Sequence, residues 1–437
     1  MSRRRLGHAL AVLLLLGGML GASIALYQLM LGARFDLPAG FLRASTLVLF
    51  AFLVALIVRY VLLLWFSYLN FLDTGELAPG GEPLVSVIVP AYNEGAMIQS
   101  SIRSLLRLDY PRFEILVVDD GSTDDTYPRA RRYQGIHGRA EVRVLHQRNG
   151  GKARALNTGI RNARGSLVLC MDGDSVLAPG TLRNAVRHFA NAAVGAVAGS
   201  VKVVNRTNVL SRLQALEYVE GLNMVRQAQA FFRAVNIIPG PIGVFRRSAL
   251  LEVGGYESDT FAEDCDITLR LLAEGWQIKY DAGAIAYTEA PEQLLDLLKQ
   301  RYRWTRGILQ AIRKHRRTLV DPRPSLTLCF TLWYMIFEGI LWPAMNVFAH
   351  VLFVAVAARY GAALSLVIWW AQLMVLDLAA ALYCVVVEEE GLSLVPYAVL
   401  YRVFFALTVD TAKLFATAEE LLQLRMDWGK LERIGRI

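Results

Sequence analysis

Two blocks of almost uncharged, apolar sequence bracket a middle section of ordinary polarity, and this limits the chain more than any other feature. Residues 9–31 are rich in Leu, Gly and Ala and follow the basic stretch Arg3-Arg4-Arg5. A second apolar run, 44–69, comes at once, and three more lie at 325–357, 362–387 and 394–416. About 20 apolar residues suffice to cross a bilayer, so each run is long enough. A cleaved signal peptide would need a shorter apolar core and a small-residue cleavage site. A retained hairpin is the preferred reading of 9–69, with the arginines holding the N-terminus in the cytoplasm and the chain returning there near Asn70. Apolar residues make up 55% of the 437 and charged ones only 19%. That is too apolar for an ordinary cytosolic enzyme and too polar for a chain that is all membrane.

The C-terminal crossings pose a conflict. Two plus three crossings put the C-terminus outside, yet the tail carries Arg425, Lys430, Arg433 and Arg436, which favour the inside. Either one stretch lies in the interface, or the 325–357 segment, broken by Pro343, does more than cross once. Arg59, Glu338, Asp377, Arg402, Asp410 and Lys413 fall within the apolar runs. Each costs a few kcal/mol at mid-membrane and is expected to face protein or a wet cavity. End-snorkelling fits Lys413 and Arg59; Glu338 and Asp377 fit it less well and suggest a polar path between helices. Cys170, Cys265, Cys329 and Cys384 are far apart, and the six histidines form no His-x-x-x-His pair, so buried thiols are expected rather than a zinc site.

Residues 84–320 alternate strand and helix signals. Leu84–Val89, Ile115–Val118, Val142–Leu145 and Leu167–Met171 are apolar runs interrupted only by Ser86 and Arg143, and the segments after the first and third have helical spacing. Such runs predict an α/β domain with a mostly parallel sheet covered on both faces. Ligands then sit beyond the carboxyl ends of the strands. Acidic clusters follow two of those ends, after Val118 and after Met171. No G-x-G-x-x-G follows the first strand, and Gly150-Gly151-Lys152-Ala153 lacks the spacing and hydroxyl of a P-loop, which argues against a dehydrogenase or an NTPase.

Four motifs carry chemistry. Asp172-Gly173-Asp174 can present two carboxylates to one hard cation, though alone it is as readily a solvated turn. Asp119-Asp120-Gly121-Ser122-Thr123-Asp124 suits an Asx-turn and helix cap, or a carboxylate facing a base or ribose. Glu263-Asp264-Cys265-Asp266 opens a helix, where the dipole favours acids; three carboxylates in four positions exceed what capping needs and suit a general base. Gln300-Arg301-Tyr302-Arg303-Trp304 lies in a basic helix running to Arg317, which suits the anionic membrane surface and offers an arginine for a diphosphate and an indole for a sugar ring.

Taken in order, V-P-A-Y-N-E, D-D-G-S-T-D, G-G-K-A-x-A-L-N, D-G-D, E-D-x-D and Q-x-x-R-W resemble the processive family 2 inverting β-glycosyltransferases of membranes. These are the poly-N-acetylglucosamine, hyaluronan, chitin and cellulose synthases. Chain length and the tail Trp428–Arg433 look most like the poly-β-1,6-N-acetylglucosamine synthases. The resemblance implies two N-terminal transmembrane helices (1–70), a cytoplasmic GT-A nucleotide-sugar domain (82–290), an amphipathic interface helix (291–320), about three C-terminal transmembrane helices (325–418) and a tail (419–437). It also implies a multi-pass protein of the bacterial inner membrane. About twenty residues follow the last apolar run, so no appended regulatory domain is expected.

By resemblance, Ala91, Tyr92 and Glu94 line a uridine pocket, Asp120 contacts uracil and Lys152 the nucleotide. Asp172 and Asp174 hold the diphosphate through Mg2+ or Mn2+. Asp264 is the general base, with Glu263 beside it. Gln300, Arg303 and Trp304 hold the diphosphate and the acceptor sugar. Pro239 and Ala262 depart from the family pattern, which has a small polar residue and Thr there. The implied partners are a UDP-sugar donor (UDP-N-acetylglucosamine first), a growing polysaccharide, the bilayer and, as an open option, a small accessory membrane subunit. Glucose and the hyaluronan-type and chitin-type products stay open, as does transfer of one sugar to a lipid carrier. An inactive receptor or channel is the reading from another class. The net charge of +8 is assigned to Arg3–Arg5 and the basic helix rather than to nucleic-acid binding.

Overall fold

The computed structural model describes residues 39–75, 81–360 and 363–424, together with Gly17, Gly18 and Gly21. The rest of the expected first span, Arg3–Arg5 and the tail from Arg425 lie outside the described residues. A nine-stranded sheet forms the centre. Its strands are β1 (Val85–Ala91), β2 (Phe113–Asp119), β3 (Gly135–His137), β4 (Ala140–His146), β5 (Leu167–Cys170), β6 (Val176–Leu177), β7 (Val194–Val203), β8 (Gly243–Arg246) and β9 (Gln277–Thr288). The spatial order is β3-β4-β2-β1-β5-β8-β7-β9-β6.

The four apolar runs are β1, β2, β4 and β5, and they pair in parallel, as such runs predict. After β5 the sheet turns mixed: β8 runs antiparallel to β5 and β7, while β9 returns parallel to β7. Successive strand residues feed opposite cores. Val85, Val87, Val89, Ile115 and Val117 face one, and Ile88, Leu116 and Val118 the other. Leu328, Leu332 and Met335 from the apolar C-terminal region join the second core, and Ala381, Val385, Leu394 and Ala398 join the first. The sheet half and the apolar helices are therefore packed together rather than tethered.

Four helical stretches are long and apolar enough to cross a membrane: Leu47–Asp73, Leu326–Ala355, Trp370–Val387 and Leu392–Leu421. Just past the third, Glu388 accepts hydrogen bonds from Ser200 Oγ (2.9 Å) and Tyr280 Oη (3.0 Å), and Lys202 Nζ donates to its backbone oxygen (2.7 Å). This fixes the helix end to β7 and β9. Desolvation raises the Glu388 carboxyl to about 7.

The ionisable residues of the spans pair with one another. Arg59 is bidentate to Glu338 (2.7 and 2.8 Å) and lies over the Trp342 ring (5.0 Å). Arg402 is bidentate to Asp377 (3.0 and 2.5 Å), with Tyr60 Oη bonded to Asp377 (2.8 Å) and Glu220 (3.0 Å). Lys413 approaches Asp410 at 3.4 Å, and Asp410 also accepts from Asn346 (2.7 Å). Arg59 thus does not snorkel, because Glu338 of another helix holds it within the bundle, whereas Lys413 pairs with Asp410 three positions away on its own helix and stays part-exposed. A cavity of about 130 Å³ runs along these groups. Each of the three π-helical turns among the described residues, Tyr218–Asn223, Phe337–Leu341 and Tyr401–Ala406, contributes a charged residue to its wall: Glu220, Glu338 and Arg402. Such turns are rare and gather at functional sites.

The basic helix spans Leu294–Lys314, one turn shorter than expected, and a separate turn, Arg317–Val320, follows. Its final ammonium is held by Glu257 (2.6 Å), Asp259 (2.9 Å) and Asp266 (3.0 Å).

Candidate active site

A cavity of about 660 Å³ opens at the carboxyl ends of β1, β2 and β5. Its wall contains every residue to which the resemblance gave a site role: Ala91, Tyr92, Glu94, Asp120, Lys152, Asp172, Asp174, Glu263, Asp264, Gln300, Arg303 and Trp304. Its size and mixed lining suit a nucleotide sugar.

Close packing at the strand ends dictates the turns. A Cβ on Gly173 would lie 2.7 Å from Pro90 O, so only glycine lets the Asp172–Asp174 turn press against the end of β1. The loop after β2 is stitched to the loop after β1. Asn93 N donates to Ser122 Oγ (3.0 Å), Glu94 N to Thr126 Oγ1 (2.8 Å) and Gly95 N to Asp124 Oδ2 (3.0 Å). Asp120 is 2% exposed and accepts three bonds, from Gln147 Nε2 (2.6 Å), Gly150 N (3.0 Å) and Gly151 N (2.7 Å). It therefore fixes the Gly150-Gly151 turn that starts the Lys152–Asn162 helix, a part that its expected contact with uracil did not include.

Lys152 Nζ bridges Asp172 Oδ1 (2.6 Å) and Glu263 Oε1 (2.7 Å), which ties the end of β5 to the helix Glu263–Ala273. Gly240, between Pro239 and Pro241, covers this bridge, and a Cβ there would lie 2.9 Å from Asp172 Oδ2. The three carboxylates of the Glu263 helix part company. Glu263 and Asp264 line the cavity, whereas Asp266 turns away to Arg270 (2.9 Å) and Lys314. The acidic trio Glu257, Asp259 and Asp266 thus already holds a cation of the chain's own.

Desolvation, then the adjacent Glu263 carboxylate, push the Asp264 carboxyl up to about 6, against the pull of Lys152 and the Cys265 amide. A base works only when ionised. In the general-base role expected of it from the sequence, Asp264 would make turnover fall roughly tenfold per pH unit below about 6, with a plateau above, in a pH profile of activity.

The helix Leu294–Lys314 closes the cavity with Gln300, Arg303 and Trp304. Its Gly307 lies against Ala262, where a Cβ would come within 2.7 Å of the alanine Cβ. Gly307, Tyr218 and Arg226 are not evident from the sequence. Gly307 carries one signal, a glycine inside a helix, which usually marks close packing. Tyr218 and Arg226 line the cavity from the helical segment 209–231, which has no recognisable motif.

The profile of the family described as "Glycosyltransferase like family 2" matches residues 82–307. The poly-beta-1,6-N-acetyl-D-glucosamine synthase of Staphylococcus epidermidis is 32% identical over 258 residues, 59% of this chain and 61% of that protein. The synthase of the same name from Staphylococcus aureus strain COL is 31% identical over 259 residues, again 59% and 61%. The chain thus spans about 61% of the length of these curated relatives. Among solved structures, the mannosyltransferase PcManGT from Pyrobaculum calidifontis, in complex with GDP-Man and Mn2+, superposes with a TM-score of 0.59 at 24% identity, covering 86% of this chain and 100% of that one. That likeness shows a shared fold. With the family profile covering the sheet, the strand-end carboxylates and most of the closing helix, the chain belongs to the glycosyltransferase-like family 2.

Proposed function

We propose that the chain is a processive inverting glycosyltransferase. It would build a β-linked polysaccharide from a UDP-sugar, UDP-N-acetylglucosamine first, and pass the product out through its own membrane helices. The observation that carries this is the meeting of Asp172, Asp174, Asp264, Arg303 and Trp304 in one cavity. Three separate segments of the chain supply them. The synthases it resembles supply the choice of donor and polymer.

In this mechanism Asp264 takes the proton of the acceptor hydroxyl, which attacks the anomeric carbon from the face opposite the departing UDP and inverts it. Arg303 stabilises charge gathering on the diphosphate. Trp304 presents an aromatic face to the acceptor ring. Asp172 and Asp174 are hard oxygen donors, and the ammonium of Lys152 against Asp172 marks the place as one that favours a cation. They would hold Mg2+ or Mn2+, which supplies further charge neutralisation for the leaving diphosphate.

Export draws support from the second cavity. Leu222 lines both cavities, so the polar space among the membrane helices approaches the active-site cavity at that residue. Aromatic rings (Tyr60, Trp342, Tyr401, Phe405) alternate there with paired charges, a lining suited to a hydroxyl-rich chain.

The test is UDP release by the purified protein in detergent over a panel of UDP-sugars with Mg2+ or Mn2+, with product sizing. A long polymer from UDP-N-acetylglucosamine is the expected result, and chelation with EDTA should abolish release until the metal is restored. Single-sugar products would remove processivity, and no turnover with any UDP-sugar would remove the enzyme reading.

A further inference from the structure

The Gln300–Trp304 segment contains one charged residue that does not line the active-site cavity. Arg301 is 2% exposed, and a guanidinium this deep must be paired. It donates to the Glu217 carboxylate and, at 2.8 Å, to Gln300 Oε1, and its guanidinium lies 4.2 Å from the centre of the Trp304 ring. One buried group thus fixes both the amide and the indole that face the acceptor. Glu217 ends the helix Val209–Glu217, directly before the π-helical turn Tyr218–Asn223. Tyr218 and Leu222 of this region line the active-site cavity, while Glu217, Glu220 and Leu222 line the cavity among the membrane helices. The pair therefore joins the acceptor-facing helix to the short segment between the two cavities.

We propose that the buried Arg301–Glu217 pair is a positioning element for the acceptor end of the polymer. It sets Gln300 and Trp304 against the turn through which the growing chain leaves the active site. This rests on the polymerase reading above. The pair touches neither the donor nor the reacting atoms, since Arg301 and Glu217 are absent from the lining of the larger cavity. Its loss should loosen the grip on the acceptor and leave donor binding alone. A lysine at 301 keeps the charge but neither the planar stack on Trp304 nor the forked donors, so even this change should show the defect.

The experiment uses the full chain in detergent, comparing wild type, Arg301→Lys, Glu217→Gln and the double variant. Four quantities are read: UDP affinity, the rate of UDP release from UDP-N-acetylglucosamine, KM for short N-acetylglucosamine oligomers added as acceptors, and product length. In each single variant acceptor KM should rise about tenfold and product length fall about tenfold, with donor KM and UDP affinity within about twofold of wild type. Because Glu217 acts through its contact with Arg301, the double variant should be no worse than the more impaired single one. Unchanged product length, or equal loss for donor and acceptor, overturns the positioning role while leaving the polymerase reading in place. Loss of UDP binding in both single variants also overturns it, because a positioning pair must leave the donor pocket intact. A wild type that turns over no UDP-sugar overturns both.

Discussion

Asp264→Asn should abolish polymer formation while leaving UDP affinity close to wild type. Asparagine keeps the shape of the side chain and, through its amide oxygen, the bond from Cys265 N (2.8 Å). What it loses is the ability to take a proton, and general-base help is typically worth ~100–10,000-fold. The loss should appear in the rate of UDP release under saturating donor, measured beside UDP affinity on the same preparation. Asp266→Asn is the matched control. That residue lies two positions on, is also acidic and is buried, but it faces Arg270 and Lys314 instead of the cavity. Its removal should weaken the packing of the helix Leu294–Lys314 and leave chemistry per folded molecule intact. Equal losses in the two variants would remove Asp264 from the role of base, as would polymerisation retained by purified Asp264→Asn.

What the sequence reveals of this site is local, and what it hides is distant. Asp120, Asp172 and Asp174 are readable because each follows an apolar run whose parallel pairing places its end in one row, as the pairing of Ala91 with Asp119 makes explicit. Antiparallel β8 and the return of β9 are not readable, since β8 is a four-residue strand and its partners lie dozens of residues away. Asp266 shows the limit of a motif. Three acids in one helical turn look alike in sequence, and it takes Arg270, four positions on, together with Lys314, 48 positions on, to separate the one turned away from the two in the cavity. Ala262 looks like a departure from a family pattern. In space its Cβ and backbone nitrogen lie where a side chain at 307 would fall, so it is Gly307 that permits the close approach. The Arg301–Glu217 contact joins positions 84 apart and has no periodic signal at all. The closing helix is legible as amphipathic, but the acids that hold its last residue, Lys314, lie 48 to 57 positions earlier and are not.

Among the apolar helices the largest single effect should come from Arg402. Its guanidinium meets both oxygens of Asp377 and also donates to Tyr60 Oη (2.7 Å), and both charged residues are almost fully buried. Arg402→Met removes the cation and strands the fully buried Asp377 carboxylate near Glu220. Breaking a buried pair from one side typically costs about 3–5 kcal/mol, a large share of what holds a protein folded. The yield of monodisperse protein in detergent and its thermal midpoint should both fall sharply. Adding Asp377→Asn to Arg402→Met removes the stranded charge while keeping an amide that Tyr60 can bond, so the double variant should recover much of the lost stability. A double variant as unstable as Arg402→Met alone would mean that the arginine acts mainly through packing. Recovery of stability without recovery of long product would separate two roles of the pair. As an internal salt bridge it would be replaceable by neutral groups, whereas if Arg402 serves the wall of the proposed export path it would not.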